Sequence, residues 1–227
     1  MKNADVAVII PVYNEGQVIG KVLGDVLKKF KYVVCVNDGS KDNSSSEINK
    51  TAAYLVEHPI NLGQGAAIQT GIEFALTLPV DYFVTFDSDG QHRIIDVLAM
   101  LTEIRKQKTD IVFGSRFLGS AENIRPLKKA ILKVAVKFSN ITSGVTLTDT
   151  HNGLRVFNRV AAEGMKLQMS DFSHASEIID RVAENNYRYT ELPVTIIYSD
   201  YSMAKGQSMI NAINIGFDLI LGRIIGK

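Results

Sequence analysis

Short apolar runs and amphipathic stretches alternate along the first half of the chain. Residues 6–10 are continuously apolar and end at Pro11, the pattern of a strand buried on both faces. Val18, Ile19, Val22, Leu23, Val26 and Leu27 then recur at three- and four-residue spacing, which predicts a helix. The next strand covers residues 32–36, with Asn37-Asp38-Gly39-Ser40 as its turn. A short polar helix over 44–53 leads to a strand over 54–58 and a helix over 65–76. A strand over 82–86, a helix over 94–106 and a strand over 111–113 continue the alternation. Such alternation predicts an α/β fold: a Rossmann-like, doubly wound, mostly parallel sheet with helices on both faces.

The second half is less regular. Its patterns predict a helix over 128–140, a strand near 154–157, a helix over 175–184 and a strand over 189–197. A last helix begins near residue 207, with Ile210, Ile213, Phe217, Ile220 and Ile224 in one stripe. No internal repeat or linker-like tract interrupts the chain, and 227 residues suffice for one large core. With 46% apolar and 22% charged residues the composition argues against disorder. A formal charge of +1 argues against a generic polyanion binder, so no nucleic-acid partner is expected. That sum conceals unlike halves: 11 basic and 14 acidic residues up to 113, then 14 basic and 10 acidic. The lone Cys35 lies in an apolar run and reads as a buried structural thiol, which fits a reducing, cytoplasmic compartment. Neither a signal peptide nor an uninterrupted membrane span is expected.

Ligands of open α/β sheets bind beyond the carboxyl ends of the strands, and polar motifs collect there. Pro11-Val12-Tyr13-Asn14-Glu15 follows the first strand, the turn at 37–42 the second, and Asn61-Leu62-Gly63-Gln64-Gly65 the third. Asp87-Ser88-Asp89-Gly90-Gln91 follows the fourth, and Gly114-Ser115-Arg116 is expected to follow the fifth. Each alone could be turn chemistry; five on one rim predict a ligand cleft. Asp87 and Asp89 repel each other unless a cation or donors intervene, which suits Mg²⁺ or Mn²⁺ with diphosphate oxygens completing the shell. Gln91 adds a further ligand or an outer contact. An Asp-x-Asp-Gly strand end also serves haloacid-dehalogenase-like phosphatases, which would leave the first two motifs without a role. A nucleotide-sugar-binding subunit without catalysis is the non-enzymatic alternative.

In order and spacing these motifs resemble the inverting glycosyltransferases of family 2, in particular the dolichyl- or polyprenyl-phosphate sugar synthase branch, from Val6 to Lys205. The resemblance implies a GT-A fold in one catalytic domain over 1–227. A nucleotide-sugar-binding half would span 1–113, an acceptor-binding half 114–206 and an amphipathic helix 207–227. It implies that Pro11, Tyr13 and Glu15 line the nucleoside pocket and that Asp38 holds the base, with Gly63 and Gly65 nearby. Asp87 and Ser88 would meet the donor, while Asp89, Gln91 and Asp87 form the metal set. Arg116 matches a position that contacts an acceptor phosphate. Asp149 stands at the family's base position in Asp149-Thr150-His151-Asn152-Gly153-Leu154-Arg155, where Leu154 replaces the usual aromatic. Lys205 resembles a lysine of the loop that closes over the diphosphate.

A phosphate acceptor is already anionic and needs charge compensation more than deprotonation. Lys129, Lys133 and Lys137 recur every four residues on one helix face, and the resemblance implies that Lys129 and Lys133 join Arg116 at the acceptor phosphate. A solvated helix face has the same pattern. The expected reaction moves a hexose or N-acetylhexosamine from a nucleotide diphosphate sugar to polyprenyl phosphate at the inner face of the cell membrane. The alternative acceptor is a saccharide of a cell-surface polymer. Many members of this branch carry membrane-spanning helices after the catalytic domain. A separate small membrane protein is therefore the expected recruiting partner, and a homo-oligomer is also open. Ile210–Ile224 fits a membrane surface, a partner or packing on its own domain.

Overall fold

The computed structural model describes residues 3–122, 124, 126–169, 174–198 and 201. The expected strands begin the chain: β1 (Asn3–Val12), α1 (Ile19–Val26), β2 (Phe30–Asp38), α2 (Ser44–Asn49), β3 (Tyr54–His58), α3 (Gln64–Leu76) and β4 (Tyr82–Thr85). Then come α4 (Ile94–Gln107), β5 (Ile111–Glu122), α5 (Pro126–Ser143), β6 (Arg155–Asn158), α6 (Arg159–Gly164), α7 (His174–Glu184) and β7 (Tyr189–Ile197). The short α6 was not expected from the sequence. Asn158 caps it locally by accepting from the Ala161 N–H, and six residues are too few to announce a helix by periodicity. The expected helix at 207–227 and Lys205 lie outside the described residues.

One seven-stranded sheet has the order β3-β2-β1-β4-β6-β5-β7. β3, β2, β1 and β4 are parallel; β6 runs antiparallel to both β4 and β5, and β7 is parallel to β5. The first four carboxyl ends therefore share one edge. The alternation of β1 divides the core into two layers. Val6, Val8, Ile10 and Val12 pack with Ile19, Leu23, Val97 and Met100 from α1 and α4. Ala7 and Ile9 face Ala67, Ile68 and Ile72 of α3 on the other side. Gly71 lets α3 lie close to the sheet, since a Cβ there would meet Ile9 Cγ2 at 2.3 Å. The sheet is thus mostly parallel with helices on both faces, as expected.

Gly114-Ser115-Arg116 was expected in a loop after the fifth strand and instead lies within β5. Pairing with β7 carries the strand onward: Gly114 and Ser115 oppose Leu192 and Pro193, and an irregularity precedes Ser120 opposite Thr195. A long-range partner extends the strand past the point where the local apolar run stops.

Candidate active site

The loops after β1 and β2 are zipped together by side chain to backbone hydrogen bonds. Asn14 N donates to Ser40 Oγ at 2.9 Å and Lys41 N to Asn14 Oδ1 at 2.8 Å. Glu15 N donates to Ser44 Oγ at 2.9 Å, and Gly16 N to Asp42 Oδ2 at 2.9 Å. Asp38, buried at the end of β2, accepts from Leu62 N at 2.8 Å and Gly63 N at 2.9 Å, and contacts His58 Nδ1 at 2.8 Å. Its carboxylate thereby pins the loop after β3. Gly63 makes the turn into α3 at φ 95°, in the left-handed region, and Gly65 is buried in the first turn. Between these loops opens a cavity of about 760 Å³ lined by Tyr13, Asn37, Ser40, Lys41, His58 and Asn61. Its size suits a small ligand. Pro11 is buried beneath the rim, Glu15 is buried and accepts from Tyr201 Oη at 2.7 Å, and Tyr13 is 45% exposed.

Beyond β4 the carboxylates differ. Asp87 Oδ2 lies 2.8 Å from His92 Nε2, and its Oδ1 accepts from Gln64 Nε2 at 3.2 Å. Burial pushes the Asp87 carboxyl up, but His92, Arg155 and His174 outweigh it and hold it below the usual range. The Asp89 carboxyl is pushed up to about 6, first by burial and then by the Asp87 charge. It accepts from Gln91 N at 3.1 Å and Gln91 Nε2 at 2.5 Å, and Ser88 between the aspartates is buried. A half-buried carboxylate crowded by a second one is where a divalent cation is favoured. The described residues include no group of three His, Cys, Asp or Glu around a common metal position. Hard oxygen donors from Asp89, Asp87 and Gln91 fit Mg²⁺ or Mn²⁺ only with further oxygens from a ligand.

Across β6 lies a second charged cluster. Asp149 is 1% exposed and accepts from Arg116 N at 3.0 Å, Arg116 Nε at 2.6 Å and His151 N at 3.3 Å. Arg116 Nη1 donates to Tyr198 Oη and Nη2 to the His151 carbonyl, both at 2.9 Å. Burial works against the Arg116 charge, yet Asp149 and Tyr198 keep its pKa raised. Glu191 on β7 accepts from Thr148 N and Asp149 N and so fixes the loop that carries Asp149. The structure brings the two clusters together. Gly153 lies against the Asp87 carboxylate, and Ile197 N donates to the Gln91 carbonyl at 3.1 Å. Lys129 and Lys133 stay exposed on α5, with Lys133 Nζ 5.9 Å from the Phe117 ring centre. His58, Glu191 and Tyr198 were not singled out for the site from sequence; His92 read more readily as a helix-start residue than as a metal neighbour, and Arg155 entered only as the basic end of the segment from Asp149. Their signal is spatial, because their partners lie as far as 82 residues away.

The family model for glycosyl transferase family 2 matches residues 7–165, more than half the chain. The protein is a family 2 glycosyltransferase. It is 32% identical over 97% of its length to the uncharacterized protein MJ1222 of Methanocaldococcus jannaschii, covering 93% of that protein. It is 29% identical to the UDP-N-acetylglucosamine–dolichyl-phosphate N-acetylglucosaminyltransferase of Methanococcus voltae, covering 94% of each chain. Glucosyl-3-phosphoglycerate synthase of Mycobacterium tuberculosis, crystallised with Mn²⁺, UDP and phosphoglyceric acid, superimposes with a TM-score of 0.77. That match has 12% identity and covers 97% of this chain and 78% of the other, so the glycosyltransferase has its GT-A fold.

Proposed function

We propose that this glycosyltransferase moves a hexose or N-acetylhexosamine, with inversion, from a nucleotide diphosphate sugar to polyprenyl phosphate at a membrane surface. The observation that carries the acceptor class is the state of Asp149. Its oxygens are spent on Arg116 and the His151 N–H, so it is poorly placed to deprotonate a hydroxyl. An acceptor phosphate needs no such base. One of its oxygens attacks the anomeric carbon in line, forming the new C–O bond as the bond to the diphosphate breaks. The printed activity of the Methanococcus voltae relative supports this class of acceptor.

On the donor side the nucleoside would enter the cavity bordered by Tyr13; Pro11, Glu15, Gly63 and Gly65 do not line that cavity and are assigned to the nucleoside by the family resemblance, with Asp38 fixing the loop after β3. Asp89, with Asp87 and Gln91, would hold Mg²⁺ or Mn²⁺, whose chemistry is Lewis-acid stabilisation of the departing diphosphate. Arg116 and Asp149 orient the acceptor side. Exposed Lys129 and Lys133 supply charge compensation, and Lys205 is proposed to close over the diphosphate. α5 also carries Val134 and Ile141 at 71% and 73% exposure beside Lys133 and Lys137. An apolar stripe flanked by cations suits an anionic lipid surface. No helix among the described residues is long and apolar enough to cross a membrane. The test offers the purified protein a panel of nucleotide sugars with Mn²⁺ and a polyprenyl phosphate, and follows sugar in the lipid extract. Label appearing in lipid supports the reading; hydrolysis of donor with no lipid product under any pairing refutes the acceptor.

A further inference from the structure

Half-buried Arg159 and the buried Arg116 and Arg155 are satisfied in different ways. Arg159 donates to the carbonyls of Leu76, Leu78 and Val80, as a structural clamp does. Arg116 is engaged by Asp149, His151 and Tyr198. Arg155 is not so matched. It is 1% exposed, heads the largest fully buried side chains, and has no hydrogen-bond partner at Nε or Nη1. A guanidinium removed from water with unmade N–H bonds is costly, and a position needing only bulk is filled more cheaply by Met or Leu.

Its place in the sheet shows what it serves. β6 sets Arg155 opposite Thr85 of β4 on one side and Phe113 of β5 on the other. Asp87 stands two residues beyond Thr85; Arg116, which holds Asp149, stands three beyond Phe113. The Thr85 hydroxyl donates to the Gly153 carbonyl at 2.7 Å, and a Cβ on Gly153 would strike the Asp87 carboxylate at 2.3 Å. The chain leading into β6 is therefore pressed against Asp87. Burial lowers the Arg155 guanidinium to about 10, while Asp87 and Asp149 both favour its charge.

We propose that Arg155 is a positioning residue for glycosyl transfer, the shared counter-charge that fixes Asp87 on the donor side relative to Asp149 on the acceptor side. It rests on the transfer reaction proposed above. Charge acts across several ångströms without a directional demand. Arg155 can thus hold both carboxylates while leaving their oxygens to His92, Gln64 and Arg116.

The test compares Arg155→Met, which keeps volume and removes charge, with Arg155→Lys, which keeps charge. Thermal unfolding and steady-state transfer are measured on the full chain with UDP-N-acetylglucosamine, Mn²⁺ and a short polyprenyl phosphate. Loss of alignment between the reacting groups predicts a kcat lower by about 100-fold in R155M with both KM values held. R155K should recover much of that loss. Wild-type kcat in R155M overturns the proposal, as does a loss in both variants that only tracks a lower Tm. A wild-type protein inactive with UDP-N-acetylglucosamine and with every other nucleotide sugar of the panel above overturns the transfer reading instead, and a stability cycle then decides the role of Arg155. Asp149→Asn should cost less Tm in the R155M background than in wild type, because part of what the carboxylate contributes comes through Arg155 and is already gone; strictly additive Tm shifts overturn the proposal.

Discussion

The proposed donor and acceptor sides of this glycosyltransferase handle charge removed from water in opposite ways. Asp89 sits beside Asp87, and loss of water first and the Asp87 charge second push its carboxyl up to about 6. Asp149 meets Arg116 through its backbone N–H and Nε, and the raised Arg116 pKa records a compensated pair. A carboxylate met by the Gln91 amides and crowded by a neighbouring aspartate is suited to receive a cation with its ligand. A site that has already paired its charges is built to hold geometry. The contrast assigns chemistry to the first and orientation to the second.

The comparison breaks most visibly at Asp89. Asp89→Ala should lower transfer by about 1,000-fold, the scale of losing a principal electrostatic stabiliser. Because it also removes a half-buried like charge beside Asp87, its Tm without ligand should equal or exceed that of wild type. A large fall in Tm with partial activity would place Asp89 among structural groups. On the acceptor side the order reverses. Asp149→Asn leaves the Arg116 guanidinium buried without its counter-charge and should cost about 3–5 kcal/mol in urea unfolding. A stability within error of wild type would show that the Arg116 environment is not dry.

The same contrast explains what the sequence disclosed. The donor side consists of strand-end motifs, each a few contiguous residues, so apolar run, turn residues and carboxylates could be read together. Only their internal wiring was hidden: Asp38 is spent on the loop after β3, and Asp87 on His92 and Gln64. The acceptor side is assembled from residues far apart in the chain. Arg116 pairs with Asp149 and Tyr198, and Glu191 holds the loop at Thr148. Periodicity carries no record of such pairings. β5 likewise outran its apolar run because β7 pairs with it, and the capped six-residue α6 was too short for a helical period to register.

His151 allows the acceptor side to be tested by pH. Burial lowers its pKa to about 4, against the pull of Asp149. The unfolded chain binds this proton near 6.5 while the fold refuses it until about 4. The unfolded state therefore holds more protons in that window, and stability falls as pH drops through it. Above 6.5 the residue has no such effect. His151→Gln should remove about 2–3 kcal/mol of the acid-side loss between those limits, read from urea midpoints across pH. Parallel pH profiles for wild type and variant would mean that water reaches the imidazole in the fold.

The smallest effect belongs to the exposed cations. Lys133 lies over Phe117, next to the buried Arg116, yet its own ammonium remains in solvent. An exposed charge contributes about 1 kcal/mol to a nearby anion, and salt screens it. Lys133→Ala, and Lys129→Ala in the same way, should therefore lower transfer to polyprenyl phosphate only several-fold. Slow hydrolysis of the nucleotide sugar, which needs the donor side alone, should not change. Raising ionic strength should shrink the difference between wild type and variant, since screening weakens a contact that only the wild type makes. If hydrolysis and transfer fell together, these lysines would be acting through the fold or the donor cleft, and the separation of tasks between the two sides would be lost at that helix.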